Sequence, residues 1–154
     1  MRLYSAKQMQ LADEDAISRV GIPGIVLMEN AALKSIEKMQ SLFGSIDDLR
    51  FSIVCGKGNN GGDGIAIARH LFSRNITFNL FITGVPKTQD ALLNWRIINN
   101  LGIQVTVVDN EAAMQKMQIA LQLSDVIIDC IIIAISRHTN ASISCLYYVI
   151  FNYS

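Results

Sequence analysis

The chain carries the stretch Gly56-Lys57-Gly58-Asn59-Asn60-Gly61-Gly62-Asp63-Gly64, which holds five of its ten glycines. This stretch follows the apolar run 51–55, which predicts a central strand, and it leads into a predicted helix over 62–74. Each glycine raises the entropy lost on folding, so such a concentration favours a place where backbone approaches a ligand closely. The carboxyl end of a parallel strand beside a helix N-terminus is such a place. The alternative is a tight glycine turn that binds no ligand.

Outward from this stretch, short apolar segments alternate with segments of helical period. The pattern predicts strands over 76–83, 103–108 and 126–132, and helices over 90–101 and 110–123. Leu93, Ile97 and Leu101 are the expected inward face of the first of these helices. Strands alternating with helices of about a dozen residues indicate right-handed βαβ units and a parallel sheet.

The predicted fold is therefore α/β: a single-domain three-layer α/β/α sandwich with a Rossmann-like, mostly parallel sheet. Two helices precede the sheet, and the second is expected from about Gly24 to Phe43, with Gly44 as its stop. Ala141 to Phe151 is apolar and could form one more strand.

Composition narrows the class of protein. The 154 residues suit one domain, and 13 basic residues balance 13 acidic ones, so the basic stripe of a nucleic-acid binder is not expected. The longest apolar run, 126–135, is interrupted by Asp129 and falls short of a membrane span. The N-terminus lacks the pattern of a secretory signal, so the cytoplasm is the default location.

The three cysteines show no regular spacing, which favours neither a disulfide framework nor a zinc site. Cys55 and Cys130 are expected to be small buried hydrophobes.

The sequence does not complete either of two common nucleotide-binding motifs. Gly56, Gly58 and Gly61 satisfy G-x-G-x-x-G, but the next strand ends without the acidic residue that would hold a ribose. No Gly-Lys-Ser/Thr follows, which excludes a Walker A loop. The distinctive residues are Asn59, Asn60 and Asp63, whose side chains can bond ligand groups or offer oxygen to a hard cation. Asp63 could equally be a plain helix cap.

The segment Asn59 to Gly64, placed after a buried strand, resembles the signature of the NAD(P)H-hydrate epimerase family, the YjeF N-terminal domain. Gln8-Met9, Asp13, Ala16 and the segment from Gly21-Ile22-Pro23 to Leu27-Met28-Glu29-Asn30-Ala31 resemble that family's first two helices. The likeness covers about residues 3–130 and leaves a divergent tail over 131–154.

The resemblance implies a usually dimeric protein that interconverts the R and S epimers of hydrated NADH or NADPH and binds a potassium ion. It places Asn59, Asn60, Gly61, Gly62 and Asp63 against the hydrated cofactor, and it makes Asn60 a potassium ligand. It also assigns a second potassium ligand to Asp129. Independently of the family, Asp129 could be a buried strand-end carboxylate held by backbone amides, since burying it without a partner is costly.

After Asp129 the sequence departs from the family. Cys130-Ile131-Ile132-Ile133 stands where the family has a Gly-x-Gly loop for the cofactor phosphate, and the later Asp-x-Pro-Ser-Gly turn is absent. That turn carries the aspartate usually proposed for acid/base work, so no catalytic residue is assigned. Neither histidine is a good substitute for that aspartate. His70 is expected to be a solvated residue at a helix end, and His138 lies in the divergent tail. The hypothesis is a truncated or altered member with impaired activity, and the alternative is a catalytically silent, dimerising scaffold of the same fold.

Overall fold

The computed structural model describes residues 6–131 and 147–148. The helices are α1 (Ala6–Asp15), which continues as a π-helical segment (Ala16–Val20), α2 (Gly24–Phe43), α3 (Asn59–Ser73), α4 (Gln89–Asn100) and α5 (Glu111–Leu123). The strands are β1 (Phe51–Cys55), β2 (Phe78–Ile82), β3 (Thr106–Val107), β4 (Val126–Cys130) and β5 (Tyr147–Tyr148).

The five strands form one sheet in the order β3-β2-β1-β4-β5, and every described pairing is parallel. The chain moves outward from β1 through β2 to β3 and then crosses back to β4. Right-handed crossovers therefore place α3 and α4 on one face of the sheet and α5 on the other. The predicted three-layer α/β/α architecture with a Rossmann-like parallel sheet is confirmed.

The central strand β1 is buried along its whole length, as a parallel strand covered on both faces must be. Phe51, Ile53 and Cys55 point into the main core, which they share with α2 and α3. Ser52 and Val54 point to the other face, where the Ser52 hydroxyl lies 2.7 Å from the Ser124 hydroxyl. The expected burial of Cys55 and Cys130 is confirmed.

Local signals fixed several helix ends correctly. Gly44 ends α2 with a positive φ of 76°, a conformation that glycine adopts without strain. Asn110 caps α5, because its side-chain oxygen accepts a 2.9 Å hydrogen bond from the Ala113 N–H.

The predicted inward face of α4 is wrong. Leu93 and Leu101 are exposed, whereas Ala91, Asn94 and Ile98 are buried. A small residue and an amide occupy this interface because α3 and α4 pack closely there. The helical period of the apolar residues did not by itself show which face of α4 is turned inward. The third strand is also shorter than predicted, since only Thr106 and Val107 pair with β2.

The N-terminal helical segment has no buried residue in its described part, and it exposes Leu11, Ile17 and Val20. At the other end, β5 pairs with β4 and falls inside the strand expected over 141–151. The remainder of that prediction, together with Cys145 and His138, lies outside the described residues. In the described part of the chain, no helix combines the length and apolar character required to cross a membrane.

Candidate functional site

The signature segment forms the first two turns of α3 and is not a loop before the helix. The helix begins at Asn59, three residues earlier than predicted, and Gly58 is its N-cap. The N–H of Gly62 donates to the carbonyl of Gly58 at 3.1 Å, which closes the first helical bond. Asp63 therefore lies in the second turn, and its interpretation as the helix cap is wrong.

Three glycines in these two turns pack so closely against the rest of the protein that a side chain would not fit. A methyl group on Gly61 would lie 2.7 Å from the Gly56 carbonyl carbon and closer still to its oxygen. A methyl group on Gly62 would lie 2.6 Å from Met28 Cε and 2.8 Å from the Ala91 methyl group. On Gly64 it would lie 2.6 Å from Cys55 Sγ and 2.9 Å from Cys130 Sγ. The first turn is therefore held against a loop, two helices and two strands.

The polar side chains of this segment lie on the face of α3 that its glycines leave open. Asn59 and Asn60 precede Asp63 by four and three residues, the spacings that bring side chains together on a helix. Asn59 is exposed, while Asn60 and Asp63 are half-buried. Helical spacing also places Asn60 one turn before Gly64, which packs on β1 and β4. The amides are thus presented at the carboxyl edge of the sheet.

Backbone donors lie beside these amides. An α-helix leaves its first N–H groups without helical partners. Here, among the described residues, the N–H groups of Asn59, Asn60 and Gly61 meet no acceptor. Together with the positive end of the helix dipole, they suit an anionic or carbonyl-bearing ligand group.

Asp129 lies on the neighbouring strand, in register with Val54 of β1. Its Oδ1 accepts a 2.9 Å hydrogen bond from the Ile131 N–H. The carboxylate is exposed, so the expectation of a buried aspartate is wrong, although a backbone amide does hold it. Water, rather than a buried partner, can offset its charge.

The two buried thiols lie beneath this edge. Burial raises the pKa of the Cys55 thiol far above its usual range, and the carboxylates of Asp63 and Asp129 raise it further. The pKa of Cys130 is raised in the same direction, first by burial and then by Cys55 and the same two carboxylates. Both thiols stay protonated and unreactive at neutral pH.

The donors present match a hard cation better than a soft one. Asn60 offers an amide oxygen and Asp129 a carboxylate, and oxygen ligands of this kind bind hard cations. Within residues 6–131 and 147–148, no group of three or more His, Cys, Asp or Glu side chains is placed to share a metal. The chemistry of the two oxygen donors suits a hard cation.

His70 is not the solvated residue that the sequence suggested. It lies between α3 and α2, where its Nε2 is 2.7 Å from Glu29 Oε1, and Arg69 forms an ion pair with the same carboxylate. Both side chains hold the far end of α3 to α2 and lie several helical turns from Asn60.

Sequence reasoning missed two contributors to the site. Met28 packs on Gly62, and the Asn94 Nδ2 donates to Met28 Sδ at 3.3 Å. The motif carried no sign of either, because the contact joins residues 66 positions apart on different helices.

The fold and the site define the class: a Rossmann-like α/β domain that presents a polar helix turn at the carboxyl edge of a parallel sheet. The chain belongs to the family described as "YjeF-related protein N-terminus", whose model matches residues 24–145. The resemblance carried by Asn59 to Gly64 is confirmed.

Two curated relatives illustrate the family. The chain is 39% identical over 134 residues to the bifunctional NAD(P)H-hydrate repair enzyme Nnr of Moorella thermoacetica, covering 85% of this chain and 25% of the relative. It is 38% identical over 106 residues to the NAD(P)H-hydrate epimerase of Pirellula staleyi, covering 68% of this chain and 45% of the relative. The chain thus spans less than half the length of either protein.

Among solved structures, the yeast protein ynu0 matches with a TM-score of 0.69 over 86% of this chain and 57% of the yeast chain. The sequence identity is 22%, so this likeness shows the fold alone.

Proposed function

We propose that this chain binds hydrated NADH or NADPH at the first turn of α3 and supports interconversion of the R and S epimers. The observation that carries the proposal is the N-terminal end of α3, where three glycines pack against the protein and helical spacing places Asn59, Asn60 and Asp63 on one face. The curated relatives named as NAD(P)H-hydrate repair enzymes and epimerases support the same substrate class.

In this proposal Asn60 and Asp63 hydrogen-bond the hydrated nicotinamide nucleotide, and the N–H groups of Asn59 to Gly61 orient one of its acceptor groups. In the same proposal Gly61 and Gly62 contribute only backbone to the ligand, since a side chain at either position would meet protein atoms. Potassium, held by Asn60 and Asp129, would supply fixed positive charge next to the ligand. No described residue is assigned to the proton transfer that epimerisation requires.

The activity is tested with purified R-hydrate of NADH and an S-specific dehydratase as the coupling enzyme. We expect turnover above the spontaneous epimerisation rate, and a higher rate with potassium than with a potassium-free buffer. Hydrate binding without acceleration would favour the silent scaffold instead. Neither binding nor acceleration by the folded protein would contradict the proposal.

Replacing Asn60 with alanine should weaken hydrate binding about tenfold and remove the response to potassium, because one amide is assigned to both ligands. Isothermal titration with and without potassium measures both effects. Asn100→Ala is the matched control, since Asn100 is an exposed asparagine at the C-terminal end of α4. Equal affinities for the Asn60 variant and the unaltered chain would rule out this role for Asn60.

The expected homodimer would use the N-terminal segment, because Leu11, Ile17 and Val20 are each about half exposed there. Such a cluster of exposed apolar side chains is typical of an interaction surface. Ile17→Lys should shift the chain from dimer to monomer in sedimentation velocity, while Leu123→Lys, on exposed α5, should not. A monomeric unaltered chain would contradict the dimer.

The cytoplasmic location stays a prediction that cell fractionation would test.

A further inference from the structure

A buried amide lies behind the first turn of α3. Asn94 is fully buried on α4, and its Nδ2 donates to the Met28 thioether at 3.3 Å. Its Oδ1 is also buried and finds no partner among the described residues.

This arrangement is a poor choice for stability alone. A thioether sulfur is a weak acceptor, and a buried carbonyl oxygen without a donor carries a desolvation penalty. Leucine has a similar size and would fill the same space without polar atoms to satisfy. A residue that breaks a packing rule in this way is expected where function depends on geometry.

The contacts of Asn94 lead to the site. Met28 is its hydrogen-bond partner, and the Met28 Sδ and Cε atoms pack on Gly62 together with the Ala91 methyl group. Methionine has three rotatable side-chain bonds, so its thioether adapts readily to its surroundings unless a partner fixes it. The Asn94 amide supplies that partner.

We propose that Asn94 is a positioning residue for the ligand-binding first turn of α3, acting through Met28 on Gly62. The amide selects one position of the thioether, and the thioether and Ala91 together set how deeply Gly62 enters the helix interface. That depth determines where Asn60 and Asp63 stand at the sheet edge. The inference rests on the proposed function for the ligand and on the packing of α2, α3 and α4 for the mechanism.

Asn94→Leu is the test. We expect its melting temperature to equal or exceed that of the unaltered chain by about 2–4 °C, since an unsatisfied polar group is removed. We also expect hydrate affinity to fall about tenfold and the backbone amide resonances of Asn60 and Gly61 to shift in the free protein. A role in stability alone would lower the melting temperature and leave these two resonances in place.

Met28→Leu tests the same contact from the other side and preserves side-chain volume. If Asn94 acts through Met28, the double variant should lose no more hydrate affinity than either single variant. Ser35→Ala is the control, because Ser35 is a buried polar residue of α2 that bonds its own helix at Ala31. It should leave affinity and the two resonances unchanged.

Unshifted resonances in Asn94→Leu, or fully additive effects with Met28→Leu, would overturn the proposal. An unaltered chain that binds no hydrate would count against the proposed function only, because the resonance measurement needs no ligand and still decides the positioning role.

Discussion

Gly61→Ala should destabilise the chain by about 3 kcal/mol and lower its melting temperature by roughly 10 °C. The added methyl group would enter the space of the Gly56 carbonyl, and a backbone group cannot turn aside as a flexible side chain can. The helix would have to move away from the loop that follows β1, and with it the face that carries Asn60. Thermal unfolding followed by circular dichroism measures the effect.

Gly58→Ala is the matched control for this substitution. Gly58 lies three residues earlier in the same motif, has a φ of −95° that any residue adopts, and has no atom within 4 Å of an added methyl group. Its cost should be about 1 kcal/mol or less, which reflects the weaker N-cap preference of alanine. Equal losses for the two variants would show that the Gly56–Gly61 contact does not limit the structure.

Gly64→Ala should cost about 2 kcal/mol, because its methyl group would press on the sulfurs of Cys55 and Cys130. Both sulfurs are buried in the main core, so neither can move out to solvent. Denaturant unfolding would register the loss as a lower midpoint with an unchanged slope.

Cys55→Ala provides the test of this cause. Removing the sulfur leaves a small cavity and is mildly destabilising by itself. In the double variant with Gly64→Ala, the new methyl group should occupy part of that cavity and recover about 1 kcal/mol relative to the sum of the single losses. If the stability losses of the two single variants simply add, the contact with the Cys55 sulfur is not the cause of the loss in Gly64→Ala.

The sequence predicted the layer architecture because its signals are repeated along the chain. Alternating strands and helices, the helix stop at Gly44 and the mostly apolar β1 each agree with the observed fold. The family resemblance also rested on a contiguous motif, Asn59 to Gly64, which needs no knowledge of distant contacts.

The errors arise where contacts between helices decide the outcome. The inward face of α4 was assigned to Leu93, Ile97 and Leu101, but Ala91, which lies against Gly62, and Asn94 are buried instead. His70 was expected in solvent because its partner, Glu29, lies 41 residues earlier on another helix. The glycines were interpreted as a close approach of backbone to a ligand, and the motif alone did not reveal that Gly61, Gly62 and Gly64 also pack against the protein.

This anchoring has a thermodynamic consequence for recognition. A first turn fixed by a loop, two helices and two strands has little freedom left to lose when a ligand arrives. Binding at Asn59, Asn60 and Asp63 should therefore carry a small penalty for ordering the backbone, and affinity should depend on the polar contacts themselves. If the proposed site binds its ligand, we expect this segment to act as a rigid receptor assembled during folding and not as a flexible loop that closes on the ligand.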